Sequence, residues 1–407
     1  MALLGHSGSQ APQLMHSSVM MMAISQVYFR APPAAATTNA GANIARVPLP
    51  FDQRLSACLQ VGRLFDLFGN AKPWPGFSCG LGEEEYAAFN TAIARAGVVN
   101  GWFTDVNVRH MMKSLSLMLA DEALRPWIRD DRMEQRQPAV PKRIGIIMAG
   151  NVPMVGFHDL LCVIMSGHHT RIKPSSQDNV LIPAVIDLLE LLAPGIKRQV
   201  TIADGKLGEV DALIATGSNN TARYFEHYFG HVPRIVRKGR VSVAILDGSE
   251  TEEDLRFLAE DVFRYFGLGC RNVSKVYLPR EFELDRLFKA MYDWNDIVNH
   301  HKYANNYDYN RAVWLMEQVK FLDNGFVLLK EDKSLASPMA ALYYERFDDR
   351  EEALRAIESQ RASIQVVLGI GKGLCPFGNA QYPNLWDYAD DVDTMGFLLG
   401  LDQGTNS

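Results

Sequence analysis

The chain has 407 residues, 47% of them hydrophobic and 22% charged, enough for two or three domains and a large core. A formal net charge of -6 leaves no basic footprint, which argues against nucleic acid as a partner. Five cysteines (Cys58, Cys79, Cys162, Cys270, Cys375) show no paired spacing and no Cys/His cluster, so neither a disulfide framework nor a metal site is expected, and reduced thiols point to the cytoplasm. With no run of about 20 uninterrupted apolar residues, no membrane span is expected.

Residues 1–50 contain no Asp or Glu and are rich in Ser and Ala. Three readings fit this leader: a disordered extension, a start codon assigned too early, and a transit peptide. From 51 to about 129 apolar residues recur at three- and four-residue spacing, as in Leu55, Cys58, Leu59, Val61 and Leu64, which predicts helices. Asp105 or Asn107 is the expected cap of a second long helix carrying Met111, Leu115 and Leu119.

After Pro141 the rhythm changes to alternating strands and helices. The pattern predicts a strand over 143–149, a helix over 157–166, a strand over 169–173 and a helix over 178–192. Strands over 200–203 and 212–216 and a helix over 219–229 follow. A second block predicts strand 242–246, helix 252–266, strand 275–278, helix 281–292, strands near 326–329 and 340–344, helix 350–359 and strand 364–368. Such alternation implies βαβ units and parallel sheets covered by helices. The seam near Arg237-Lys238-Gly239 is the expected domain boundary.

Single residues carry weak signals. Cys270 lies in Phe266-Gly267-Leu268-Gly269-Cys270-Arg271-Asn272, where glycines at -3 and -1 free the backbone and Arg271 favours the thiolate. The other reading is a small buried hydrophobe. Lys173-Pro174-Ser175-Ser176 closes a strand where open α/β sheets bind nucleotides, or is a solvated turn. Gly217-Ser218 begins a helix, where phosphate binds and ordinary caps also sit. Asn151, after the first strand, is either an oxyanion donor or a turn former. No G-x-G-x-x-G fingerprint follows that strand.

The order Asn151, Lys173-Pro174-Ser175, Gly217-Ser218, Cys270 and Pro376-Phe377-Gly378 resembles the aldehyde dehydrogenase superfamily, over roughly residues 140–400. Within it the chain is most similar to the fatty acyl-CoA reductase branch, related to the reductase that supplies aldehyde in bacterial bioluminescence. That likeness rests on Gly150-Asn151-Val152-Pro153, on residues 266–275 and on Asp387-Tyr388-Ala389-Asp390-Asp391-Val392-Asp393-Thr394-Met395. The resemblance implies an N-terminal helical region and two open parallel-sheet α/β domains, one for cofactor (51–240) and one catalytic (241–385), with a return segment over 386–407.

It also implies NADPH-dependent reduction of an acyl-CoA or acyl-protein thioester to an aldehyde, with Cys270 as nucleophile and Asn151 as oxyanion donor. Lys173, Ser175, Ser176, Gly217 and Ser218 are the implied cofactor contacts. An acyl-protein synthetase and a second copy of the chain are the implied partners. Where hydrolytic members carry Glu-Leu-Gly-Gly-Lys, this chain reads Ile235-Val236-Arg237-Lys238-Gly239-Arg240, without the water-activating Glu. The Glu-x-Phe-Gly-Pro motif appears as Ser334-Leu335-Ala336-Ser337-Pro338, which leaves nicotinamide placement open. Two other functions fit the same residues: a CoA-acylating aldehyde dehydrogenase using NAD, and a catalytically silent subunit of a lipid complex.

Overall fold

The computed structural model describes residues 48–217, 224–225 and 227–401. Nearly all of the leader expected over 1–50 lies outside the described residues, as do Ser218 and most of the helix expected over 219–229.

Four helices come first: α1 (Phe51–Gly69), α2 (Glu83–Val99), α3 (Asp105–Met118) and α4 (Asp121–Asp130). The stripe Ala57, Cys58, Val61, Leu64, Phe65 and Phe68 makes α1 amphipathic and is buried. Glu83, Glu84 and Glu85 fill the first turn of α2, where the exposed N–H groups favour negative charge. The cap of α3 is Thr104, not Asp105 or Asn107: its hydroxyl accepts the Asn107 N–H.

The first sheet contains β1 (Arg143–Ile147), β2 (His169–Lys173), β3 (Val200–Ile202), β4 (Ala212–Thr216) and β5 (Arg234–Arg237). All its strands are parallel, in the order β3-β2-β1-β4-β5. Helices α5 (Phe157–Ser166) and α6 (Leu181–Leu192) connect them. The core joins β1 to α1, α5 and α6, with Phe65 against Phe157 at 5.6 Å. Buried Arg54 caps α5 by donating to the Ile164 and Met165 carbonyls, a favourable place for a cation. Helix α6 starts at Leu181, so Asp178 is not its cap residue; that position belongs to Val180.

The second sheet contains β6 (Val241–Ile245), β7 (Val273–Pro279), β8 (Leu322–Asp323), β9 (Leu328–Glu331), β10 (Ala341–Phe347) and β11 (Ile364–Gly369). Its order is β11-β6-β7-β10-β9-β8, parallel except for the β8–β9 pair. Around it lie α7 (Glu252–Phe263), α8 (Leu284–Met291), α9 (His301–Met316) and α10 (Arg350–Ser359). A capping box of Thr251 and Asp254 starts α7. The last helix, α11 (Thr394–Gly400), returns to the first sheet and buries Met395, Leu398 and Leu399 in its core. The two expected parallel α/β sheets and the helical N-terminal region are therefore present. Among the described residues, no helix is long and apolar enough to cross a membrane.

Candidate active site

Chain order in the first sheet reverses between β1 and β4, the switch point where open α/β sheets form a crevice at their carboxyl ends. The register sets Ile147 between Lys173 and Ala215, so the turns after three strands share one edge. The turn after β1 carries Asn151, the turn after β2 carries Ser175 and Ser176, and β4 leads into Gly217. A Cβ on Gly150 would lie 2.6 Å from the Ser175 Cβ and Oγ, so the first two turns touch only because residue 150 is glycine.

Lys173 is half-buried, and that burial lowers its pKa. The Ser175 hydroxyl accepts the Gln177 N–H at 3.2 Å, and Ser176 is exposed. Asp178, the nearest acid in sequence, is buried, with its Oδ2 accepting the Met154 N–H at 2.7 Å. Burial pushes its carboxyl up to about 6 against that bond and another from Leu181.

Cys270 lies in the loop between α7 and β7. The Asn151 amide donates Nδ2–H to the Leu268 carbonyl at 2.7 Å, tying the first sheet to the loop. An amide carries two N–H donors, and this bond uses one. Helix α7 stops at Phe263 because Arg264 turns to ψ 140°, after which Tyr265, Phe266 and Gly267 take left-handed φ values of 54°, 59° and 74°. Such a conformation costs about 1–2 kcal/mol for a residue with a Cβ. Two packings offset it: the Tyr265 hydroxyl meets His110 Nδ1 at 2.8 Å, and the Phe266 ring lies 4.3 Å from that of His300.

Neighbours then pin the thiol loop. Asn272 accepts the Gly269 N–H at 2.8 Å and donates to the carbonyls of Asp261 and Arg264 at 2.9 and 2.8 Å. The Ser242 hydroxyl donates to the Cys270 carbonyl at 2.9 Å. Cys270 is half-buried. Burial raises its pKa, Arg271 and Arg237 pull it down, and Asp390 opposes them.

The C-terminal motif closes over the crossing between the sheets. The Lys238 N–H donates to Asp390 at 3.2 Å, and Arg240 pairs with Asp390 and Asp391 at 3.4 and 3.1 Å. Arg271 donates to the Asp387 carbonyl at 3.3 Å. Arg237 is buried, with Nη1 on Asp159 at 2.6 Å and Nη2 on the Thr394 hydroxyl at 2.7 Å. The stretch 235–240 thus holds a buried ion pair and a clasp of opposite charges.

Asn151, Lys173, Ser175, Ser176 and Gly217 thus lie on one edge, with Asn151 reaching the Cys270 loop. Ser218 lies outside the described residues. Sequence reasoning assigned no role to Ser242, Asp261 or Asn272. Asp261 left a trace: it follows Leu255 and Leu258 on the apolar face of α7, where an acid is out of place.

An indole-3-acetaldehyde dehydrogenase solved with NAD+ superposes with a TM-score of 0.58 at 13% identity, covering 82% of this chain and 74% of that one. The fold is that of the aldehyde dehydrogenases. The Delta-pyrroline-5-carboxylate dehydrogenase of Mycobacterium tuberculosis shares this aldehyde dehydrogenase fold with a TM-score of 0.54 at 16% identity, over 86% of this chain and 71% of that one. An NADP-dependent enzyme of E. coli does so with 0.57 at 12% identity, over 81% and 75%. In sequence, the chain is 24% identical over 221 residues to the long-chain acyl-protein thioester reductase of Aliivibrio fischeri. That match covers 48% of this chain and 44% of the relative, less than half the relative's length. No protein-family model matches the chain. The fold is the one that the motif order implied, and the sequence match is to a thioester reductase, similar in kind to the fatty acyl-CoA reductase branch that the motifs resemble.

Proposed function

We propose that the protein reduces a fatty acyl thioester, acyl-CoA or acyl-protein, to an aldehyde with NADPH through an S-acyl intermediate on Cys270. The observation that carries this reading is the Asn151–Leu268 hydrogen bond, which sets a nucleotide-type strand edge against a half-buried thiol. The likeness to an acyl-protein thioester reductase supports the substrate class.

The Cys270 thiolate attacks the thioester carbonyl, and the carbon–sulfur bond to the donor thiol breaks as that thiol leaves with a proton. Asn151 stabilises the oxyanion by rotating its amide from Leu268 or by using its second N–H; one such donor is typically worth ~10²–10³ in rate. NADPH, when bound, supplies the hydride that reduces the acyl carbon; the carbon–sulfur bond to Cys270 then breaks, which releases the aldehyde and restores the thiolate. Lys173, the hydroxyls of Ser175, Ser176 and Ser218, and Gly217 form the cofactor contacts. With no Glu in 235–240, the S-acyl group persists until it is reduced. In this reading 51–240 serves the cofactor, 241–385 the chemistry and 386–407 the closure. An acyl-protein synthetase and a second copy of the chain are its partners.

The test is an NADPH-oxidation screen over acyl-CoAs from short to long, with aldehyde trapped and counted. One aldehyde per NADPH is expected. Faster acyl-CoA synthesis from aldehyde and NAD would replace the reading with that of a CoA-acylating dehydrogenase. No turnover and no bound acyl group would replace it with that of a silent subunit.

The cofactor preference has its own test. The 2′-phosphate of NADPH is roughly a dianion at neutral pH, by analogy with other phosphomonoesters. Lys173 and Ser176 offer it donors, while Asp178 is engaged with the Met154 N–H. We expect Ser176→Glu to lower kcat/KM for NADPH about tenfold or more and to leave NADH nearly unchanged, as one repelled charge would do. A parent that prefers NADH, or a variant that keeps its NADPH selectivity, overturns this account.

A further inference from the structure

Behind the thiol loop lies a carboxylate that the proposed reaction does not use. Asp261 is fully buried on α7. Its Oδ2 accepts the Gly378 N–H at 2.6 Å and its Oδ1 the Ala380 N–H at 3.1 Å. Its backbone carbonyl accepts from Asn272, whose side-chain oxygen in turn holds the Gly269 N–H next to Cys270. The carbonyl of Ala380 accepts from Arg271 at 3.2 Å. The peptide groups of 378–380 are thus gripped by residues nine before and one after the thiol, and Asn272 closes the ring.

We propose that Asp261 and Asn272 are positioning residues: they lock the turn at 378–380 to the thiol loop, and this lock orients Cys270 toward the thioester carbonyl. The inference rests on the reading of Cys270 as nucleophile. An ionised carboxylate only accepts hydrogen bonds, so it satisfies two converging N–H donors; a protonated one presents an O–H to one of them and loosens the grip. Burial raises the Asp261 pKa to about 7, the two backbone N–H groups pull it back, and Glu260 beside it adds to the rise. The other titratable and charged groups around it are Arg264 after α7, Cys375 and Tyr382 on the segment it holds, Arg271 on the thiol loop and His110, which pairs with Glu260 from α3. The sign follows: the lock is closed above about pH 7 and opens as pH falls through that value.

The experiment uses the full chain and a long-chain acyl-CoA without NADPH. It follows the burst of CoA release, the alkylation of Cys270 by iodoacetamide, which needs no oriented carbonyl, and NADPH affinity by fluorescence. Asp261→Asn should slow acylation at pH 8 at least tenfold, leave alkylation within about threefold and NADPH affinity within twofold, and erase the acid-side inflection of the acylation profile. Asn272→Asp keeps the acceptor for Gly269 and gives up both donors; it should show the same split, and it decides the matter if Asp261→Asn does not fold. Acylation within twofold of the parent, an unchanged inflection, or parallel loss of alkylation and cofactor binding overturns the proposal. A parent acylated at a residue other than Cys270 removes the nucleophile reading itself; loss of the positioning effect with label still on Cys270 removes only this inference.

Discussion

On the proposed function, Cys270→Ala should abolish acyl-enzyme formation and lower thioester-dependent NADPH oxidation by more than about 10³-fold, the scale on which losing a covalent nucleophile is felt. The expectation rests on which thiol is both partly exposed and flanked by more than one cation. Cys58, Cys79 and Cys162 are buried in the first core, and burial pushes Cys58 up to about 12 and Cys162 well above an ordinary thiol. Cys375 is half-buried, but burial raises it to about 11, Asp261 and Asp387 add to that rise, and Arg271 offsets only part of it. Cys270 has Arg271 and Arg237 working for its thiolate, although burial still holds its pKa above that of an exposed cysteine. Acylation therefore climbs with pH above neutrality, because the thiolate is the minor form there. Labelled acyl-CoA, digestion and peptide mapping check the assignment. Label retained in Cys270→Ala, or found on Cys375 in the parent, moves the nucleophile elsewhere.

Arg237→Ala should destabilise the fold by about 3–5 kcal/mol, because it leaves the buried Asp159 carboxylate without its counter-charge. The two side chains are 7% and 4% exposed, so the pair is shielded from bulk water in the parent. One carboxylate oxygen, Oδ1, already has no hydrogen-bond partner among the described residues. The same change also removes the bond to Thr394 at the start of α11. Urea unfolding measures the loss as a lower midpoint. The double variant Arg237→Met with Asp159→Leu should recover most of the stability, since removing both charges of a buried pair is often neutral. A single variant within 1 kcal/mol of the parent would mean that water or a neighbouring group compensates Asp159.

The regular elements were legible where apolar residues cluster at strand or helix spacing: β1 and β2, and helices α5, α7 and α10, fall within a few residues of their expected places. The elements missed lack that signal. Strand β5 has an arginine at each end, and Arg237 is inside only because Asp159, far away in sequence, neutralises it. Helix α9 reads His301-Lys302-Tyr303-Ala304-Asn305-Asn306-Tyr307, and only Tyr303, Tyr307 and Trp314 mark its buried side. Helix α7 was expected to reach 266 because Tyr265 and Phe266 continue its apolar stripe; their left-handed backbone depends on His110 and His300, which no local pattern announces. The candidate site residues were named from a resemblance to a family's motif order, and the fold sets Asn151, Lys173, Ser175, Ser176 and Gly217 along one edge. Their supports, Ser242, Asp261 and Asn272, were not legible, because a buried hydrogen-bonding role depends on partners brought close only by the fold.

The last helix has a bearing on how the chain is made. Arg237 finds Thr394 only after 157 further residues have been added. Translation at about 5–20 residues per second puts roughly 8–30 s between the two. Over that interval the nascent chain holds an arginine and an aspartate that have each other but not their lid, and the core sites for Met395 and Leu398 stand unfilled. The first sheet is thus synthesised early and completed late. Ribosome-bound chains halted before residue 394 should be cut by protease in α5 and β5 far more readily than released ones, and chaperones that recognise apolar surface have their longest opportunity there.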